Sequence, residues 1–138
     1  MDDRLLVEYL VPETMPAPFA AYSHGVFVRS GADLLFSSGQ LGLNPQGLVP
    51  ESVEEQTKLC FLNIELLLRE REMNLANVVR VNAYVTEREH VHGYMRVRDS
   101  MFKSRPPAST LMIVSGFTKP EFLVEVEVIA ARPHRQAT

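Results

Sequence analysis

The chain has 138 residues, of which 46% are hydrophobic and 22% charged, and its formal net charge at pH 7 is −3. This length and composition are typical of one globular domain covering residues 1–138. Charges of both signs are mixed along the sequence without a basic stripe, so no nucleic-acid partner is predicted. No apolar run approaches the roughly 20 residues of a membrane span, and we expect a soluble, cytoplasmic protein without membrane contact.

Metal and disulfide chemistry have little support in the sequence. Cys60 is the only cysteine, and the four histidines form no C-x-x-C or H-x-x-x-H spacing. We therefore expect no metal site. Cys60 is interpreted as a small buried side chain on a helix, with a reactive thiol as the alternative.

The first third of the chain predicts three strands. Arg4 to Val11 is a candidate first strand, and the prolines that follow it predict an irregular connection. Gly25 to Arg29 and Leu34 to Ser38 predict a β-hairpin whose turn contains Gly31. This hairpin would bring the polar clusters that flank it, Tyr22-Ser23-His24 and Ser38-Gly39-Gln40, to the same end of a sheet. A proline- and glycine-rich loop follows.

Two amphipathic helices are predicted. Ser52 to Glu72 repeats apolar residues at helical spacing, and Ser52 with Glu55 forms a capping-box pattern at its start. Glu87 to Lys103 is the second helix, with a similar pattern at Thr86 and Glu89. Both helices present one apolar face.

Three further strands accompany these helices. Val78 to Thr86 alternates apolar and polar residues, Ala108 to Ser115 is a fifth strand, and Phe122 to Ala131 is the last. On that last strand Glu125 and Glu127 share a face with Leu123 and Ile129. A carboxylate among apolar side chains needs a partner, so both glutamates are site candidates, although solvent-facing alternation without a catalytic role is the commoner explanation of such a pattern.

The order of elements predicts an α+β domain with a six-stranded mixed sheet and both helices packed on one face. The other face would then present apolar side chains, among them Leu123, Ile129, Ala131, Leu111, Ile113 or Leu35, that are too apolar to remain wet. Self-association would cover them, and a small-molecule cleft at the resulting subunit interface would lie beside Glu125.

Five motifs occur in a characteristic order and spacing between about Pro16 and Arg132. They are Tyr22-Ser23-His24-Gly25, Ser38-Gly39-Gln40, Glu55-Gln56-Thr57, Pro106-Pro107-Ala108-Ser109-Thr110 and Val124-Glu125-Val126-Glu127-Val128-Ile129-Ala130. Together these motifs resemble the RidA family of enamine and imine deaminases. The resemblance implies a chorismate-mutase-like fold, a homotrimer with a barrel-like centre, and ligand clefts between subunits.

The resemblance also implies hydrolysis of a reactive 2-imino or 2-amino-enoic acid to the 2-oxo acid and ammonia, without a cofactor. Tyr22 would contact the substrate, backbone groups at Gly39 and Thr110 would hold the imine nitrogen, and Glu125 would orient or activate water. Ser38 and His24 belong to the same motifs, and His24 stands where glutamine is common in the family. A carboxylate is a competent base for adding water to an imine carbon.

One residue departs from the family pattern. Ala108 occupies the position of the arginine that clamps the substrate carboxylate, and a methyl group provides no charge-assisted pair. Arg105 or a neighbouring subunit is a possible replacement cation. Two function classes remain: a hydrolase of the RidA type with an altered substrate range, or a non-catalytic small-molecule binder or stabilising trimer that keeps the same fold.

Overall fold

A computed structural model describes residues 5–102 and 105–134 of the chain. These residues form seven strands, at Val7–Leu10 (β1), Gly25–Val28 (β2), Ala32–Phe36 (β3), Gln40–Leu41 (β4), Val78–Val85 (β5), Ala108–Ile113 (β6) and Val124–Pro133 (β7). Two α-helices, Val53–Arg69 (α1) and Val91–Met101 (α2), are accompanied by 3-10 turns at Leu75–Asn77 and Arg88–His90. The α+β class with two helices on a mixed sheet is confirmed.

The main sheet has five strands. Its order is β3, β7, β5, β6, and the short β4 pairs with β7 beside β3. All pairings are antiparallel except that of β5 with β6, which is parallel. The remaining strands, β1 and β2, pair with each other as a separate two-stranded sheet. The structure therefore divides the strands into sheets of five and two, where the sequence predicted one sheet of six.

The predicted hairpin between Gly25–Arg29 and Leu34–Ser38 is wrong. Gly31 does adopt a positive φ of 94°, as its predicted turn position requires. However, β2 pairs with β1, whereas β3 pairs with the long central strand β7. The turn signal around Gly31 is local, and it does not determine which of two available strands each arm will join.

The core lies between the helices and one face of the main sheet. Alternate residues of β5 and β7 are fully buried there, including Val81, Val85 and Val126. They pack in one cluster with helix residues such as Phe61 and Ile64. The period-two pattern of both strands produces this arrangement, because every second side chain points to the same face.

The helix boundaries agree with the predictions at one start and not at the other. The Ser52 hydroxyl accepts a hydrogen bond of 3.1 Å from the Glu55 backbone N–H and caps α1. The predicted cap at Thr86 is absent: the Thr86 backbone N–H donates to the Leu123 carbonyl, which keeps this residue with the sheet, and α2 begins only at Val91 without a side-chain cap. The predicted termini at Arg4 and Lys103 lie outside the described residues.

The face of the sheet opposite the helices is open in the single chain. Its apolar residues are Leu34, Phe36 and Met112, whose exposed fractions are 51%, 68% and 54%, together with Ile129. Four of the residues predicted for this face are instead on the core side: Leu35, Leu111 and Leu123 pack against the buried cluster, and Ile113 is directly opposite the buried Val85. The strands β3 and β6 thus have the opposite facing to the one expected, since a shift of one residue exchanges the two faces of a strand.

Candidate small-molecule site

A network of polar side chains crosses the open face from β6 to β7. The Arg80 guanidinium donates to the Thr110 hydroxyl at 2.7 Å and to the Asn82 amide oxygen at 3.0 Å. The Asn82 amide and the Tyr84 hydroxyl both donate to Glu127 Oε1, at 3.2 Å and 3.0 Å. Polar residues at alternate positions of β5 therefore connect the two neighbouring strands across the open face.

The two glutamates of β7 differ in their surroundings. Glu127 accepts both hydrogen bonds from β5. The bond that the Tyr84 hydroxyl donates to Glu127, together with burial, raises the pKa of Tyr84 above its usual value. Glu125 lies directly opposite Tyr84 on β5 and Leu41 on β4. No donor in residues 5–102 or 105–134 forms a hydrogen bond with its carboxylate. Glu127 is thus held by the sheet, and Glu125 is the one able to accept a hydrogen bond from a bound water or ligand.

Gly39 lies against the Glu125 side chain. A Cβ atom built at Gly39 would be 2.7 Å from Cδ and 2.9 Å from Cγ of Glu125, distances that real Cβ atoms do not show. The absence of a side chain at position 39 is what allows the Glu125 carboxylate to occupy its place. These two residues, which we call the acidic half-site, come together because β4 and the residues before it run along β7.

Ser38, the neighbour of Gly39, is exposed, and its carbonyl accepts a bond of 3.3 Å from the Gln40 side chain. The hydroxyl that joins this segment to β7 belongs instead to Ser37, which accepts from the Val128 N–H at 2.9 Å. Ser38 is therefore placed beside the acidic half-site without a role in holding the strand.

Tyr22 and His24 lie at the opposite edge of the sheet. Between them, Ser23 forms a parallel bridge with Ala108, and its hydroxyl donates to the Pro106 carbonyl at 2.7 Å. The His24 Nε2–H donates to the Pro16 carbonyl at 2.7 Å, and the rings of Tyr22 and His24 are in edge contact at 5.8 Å. His24 is therefore tied to the preceding loop.

Ala108 is buried between Ser23 on one side and Arg80 on the other, because β5 and β6 pair in parallel with Arg80 directly opposite Ala108. Thr110 follows two residues later on the same face, where it receives the bond from Arg80. We call Tyr22, His24, Ala108 and Thr110, with Arg80 beside them, the Ala108 half-site.

Arg105, considered from the sequence as a replacement cation, lies elsewhere. Its guanidinium sits 5.9 Å from the centre of the Tyr9 ring and lines a cavity with Phe102 and Val79. Arg80 was not among the candidates from the sequence. The signal for it was the alternation of β5, but only the parallel register between β5 and β6 reveals that it faces position 108.

The two half-sites are far apart within one chain. From Gln40 to Ser23 the sheet is crossed through β7, β5 and β6, which at the usual strand spacing is on the order of 19 Å. The hairpin-based expectation that these clusters share one end of the sheet is therefore wrong. Two surface cavities of the chain are lined by other residues and contain neither Glu125 nor Ala108.

Among the residues that the structure describes, no helix is long and apolar enough to cross a bilayer. The same residues contain no group of three or more histidine, cysteine, aspartate or glutamate side chains arranged to hold a metal ion.

Comparison with known proteins gives consistent matches over most of the chain. A family model described as Endoribonuclease L-PSP matches residues 12–132. A RutC family protein of Aquifex aeolicus is 30% identical over 121 residues, which cover 85% of this chain and 93% of that protein. Protein HMF1 of Saccharomyces cerevisiae is 29% identical over 123 residues, with coverages of 88% and 92%. A crystal structure of YyfB, a Rid-family protein of Yersinia pestis, superposes with a TM-score of 0.80 at 25% identity, covering 93% of this chain and 100% of that one.

Proposed function

Because the chain belongs to the RidA family, we propose that it is a hydrolase that deaminates, or a catalyst that tautomerises, small enamine or imine molecules. Family membership supports a role in processing small molecules. The observation that carries the proposal is the placement of Glu125, whose carboxylate rests against Gly39 on the open face while Glu127 is occupied by Asn82 and Tyr84.

The proposed reaction needs only water and a base. An enamine first tautomerises to the imine. A water oxygen then bonds to the imine carbon as Glu125 takes one proton from that water and passes it to the imine nitrogen, which gives a carbinolamine. The hydroxyl proton of the carbinolamine is next transferred through Glu125 to the amino nitrogen, the C–N bond breaks, ammonia leaves, and a carbonyl remains. A positioned carboxylate contributes to such proton transfers typically by 10²- to 10⁴-fold. Backbone groups at Gly39 and Thr110 and the ring of Tyr22 would hold the substrate, and no cofactor is required.

We place this reaction in clefts between the subunits of a homotrimer. The acidic and Ala108 half-sites lie at opposite edges of one sheet, so one small molecule contacts both only if neighbouring subunits contribute one each. The exposed Leu34, Phe36 and Met112 on the open face support the same arrangement, since burial at an interface would remove them from water. Three sheets meeting through these faces would form the barrel-like centre of a chorismate-mutase-like trimer, which we expect in the cytoplasm.

The methyl group of Ala108 favours a second candidate function. Without an arginine at this position the substrate range is altered. If catalysis is lost altogether, the trimer only binds a small molecule or stabilises a partner. The half-sites would remain in both cases, and only turnover separates the two functions.

Turnover is tested with 2-iminobutanoate generated in situ by a pyridoxal-phosphate-dependent dehydratase, and with an aminomuconate as a second, ring-derived substrate. The wild-type chain should accelerate the decay of at least one of them, and Glu125→Gln should reduce that acceleration by about 10²-fold or more. Glu89→Gln, an exposed carboxylate on the turn before α2, is the matched control and should match wild type. An active Glu125→Gln variant would remove Glu125 as the base, and a wild type without effect on any imine would leave the non-catalytic function.

The shared cleft is tested by mixing inactive variants. Tyr22→Ala and Glu125→Gln damage different half-sites, so a cleft that takes one half-site from each subunit is intact in about a quarter of the interfaces of a randomly mixed 1:1 oligomer. Co-expression should therefore restore about a quarter of the wild-type activity. No recovery in a mixed oligomer of verified composition would place both residues in the same chain's site.

A further inference from the structure

Arg80 lies directly opposite Ala108 and carries the guanidinium group that position 108 lacks. We propose that Arg80 is the anion-binding residue of this protein, and that it selects carboxylate-bearing small molecules in place of an arginine at position 108. The inference rests on the proposed cleft for its location, but it concerns binding and does not require that the bound molecule be turned over.

The register of the sheet places Arg80 where a cation is needed. Arg80 and Ala108 are directly opposite each other on the parallel strands β5 and β6, so their side chains leave the sheet on the same face. An arginine side chain is longer than the spacing of about 4.8 Å between neighbouring strands. The guanidinium of Arg80 in fact spans that gap, since its Nη2 reaches the Thr110 hydroxyl at 2.7 Å.

The hydrogen bonds of Arg80 orient its guanidinium without neutralising it. Its two acceptors are the hydroxyl oxygen of Thr110 and the amide oxygen of Asn82, and both are uncharged. No carboxylate in residues 5–102 or 105–134 lies within 4.0 Å of Arg80. Asn82 separates Arg80 from Glu127 by donating to that carboxylate itself at 3.2 Å. The positive charge is thus held in place by neutral groups and remains available to an anion.

The remaining donors of Arg80 match a carboxylate. A guanidinium has five N–H groups in a planar fork, and two of them are used by Thr110 and Asn82, which leaves a pair able to bind both oxygens of one carboxylate. Such pairing is geometric as well as electrostatic, and lysine, a point charge, does not reproduce it. The short side chain at position 108 leaves the space beside this fork free of a second large side chain.

This placement also changes what the cleft can accept. The charge enters from β5 rather than β6, so the bound carboxylate is displaced from the position that an arginine at 108 would give it by up to one strand spacing, about 4.8 Å. A substrate with its carboxylate further from the reacting carbon than in a simple 2-imino acid fits this offset. The chain therefore combines an anion requirement with an altered substrate length.

The test measures binding of two stable 2-oxo acids, 2-oxobutanoate and 2-oxoadipate, by isothermal titration calorimetry on the full chain. Wild type should bind at least one of them, and should prefer 2-oxoadipate, whose second carboxylate lies further from the carbonyl carbon. Arg80→Met should weaken that binding by at least tenfold, and Arg80→Lys by an intermediate factor. Arg88→Met removes an exposed arginine from the turn before α2 and should leave binding unchanged.

Two controls distinguish anion binding by Arg80 from a purely structural role: the binding of uncharged ligands and the oligomeric state of the variant. Binding of the corresponding amides, which lack the anion, should be equal in wild type and Arg80→Met, and size-exclusion chromatography should give the same oligomer for both. Equal affinity of wild type and Arg80→Met for the acids, an equal loss for acids and amides, or a wild type that binds neither acid would each overturn the proposal. Binding that depends on Arg80 without imine turnover would refute the catalytic function alone.

Discussion

Replacement of Gln56 by leucine should produce a large loss of stability. Gln56 is fully buried near the start of α1, and its side-chain amide makes three hydrogen bonds to backbone groups. Nε2 donates to the carbonyls of Pro50 and Glu121 at 2.8 and 2.9 Å, and Oε1 accepts from the Leu123 N–H at 2.9 Å. One side chain therefore joins the loop before α1 to the segment that leads into β7, the strand of the acidic half-site.

The size of the effect follows from the groups left behind. Gln56→Leu conserves volume but leaves two carbonyls and one N–H without their partner in a partly buried place, and an unsatisfied group costs about 1–3 kcal/mol when it is fully buried. Because the two carbonyls have further lone pairs and can relax, we expect a total loss of about 3–6 kcal/mol, a large part of the 5–15 kcal/mol typical of a domain. With a urea m-value of about 2 kcal/mol/M, the unfolding midpoint should fall by about 1.5–3 M.

The assay is urea unfolding followed by far-UV circular dichroism at one fixed protein concentration, because an oligomer's apparent stability depends on concentration. Gln46→Leu is the matched control: it makes the same substitution at an exposed loop position and should change the free energy of unfolding by less than about 0.5 kcal/mol. A loss below about 1 kcal/mol for Gln56→Leu would refute the reasoning, since the three bonds would then contribute no more than a surface contact.

Two further predictions concern the acidic half-site and the helix beneath it. Gly39→Ala should displace the Glu125 carboxylate and lower imine turnover as Glu125→Gln does. It should change the free energy of unfolding by less than about 1 kcal/mol, because the clashing group is the end of a flexible side chain. Gly25→Ala is the control and should be neutral in both assays, since an added Cβ there meets nothing within 4 Å. Burial and, secondarily, the Glu125 charge raise the pKa of the Cys60 thiol to about 12, so a thiol reagent at pH 8 should label the chain only after denaturation. The folded pKa of the Cys60 thiol exceeds its unfolded value of about 8.5, so the contribution of this thiol to stability is complete below pH 8.5 and is lost as the pH rises toward 12. Cys60→Ala should abolish this dependence of the unfolding free energy on pH. Rapid labelling of the native chain would contradict the raised pKa.

Local patterns in the sequence predicted the elements well. The helical period and the Ser52 cap predicted α1 because both act within a few residues, and the alternation of β5 and β7 predicted their two faces in the same way. Pairing was less accessible: β3 joined β7, almost a hundred residues later, instead of its neighbour β2, because a strand pairs with whichever partner best buries its core-facing side. The sheet face of Leu35 and of Leu111 was predicted wrongly for the same reason, because it depends on the register of β3 and β6.

The candidate site shows the same division. Glu125 was identified because its neighbours on the strand make a carboxylate conspicuous. Arg80 was not, because its significance depends on the parallel register with β6 and on the bond to Thr110, 30 residues away. The separation of the half-sites depends on the strand order, which the sequence leaves open, and it is this order that makes a subunit interface necessary for a complete cleft.

Arginine at position 80 and arginine at position 108 should exclude each other. The two positions are directly opposed on neighbouring strands, where like charges destabilise the sheet, so Ala108→Arg would place two guanidinium groups side by side. In a double-mutant cycle, Ala108→Arg should therefore cost about 1 kcal/mol more unfolding free energy in the presence of Arg80 than in an Arg80→Met background, and the double variant should recover binding of 2-oxobutanoate through the new arginine. If Ala108→Arg cost the same in both backgrounds, the two side chains would not share a face, and the alanine at 108 would need an explanation that does not involve Arg80.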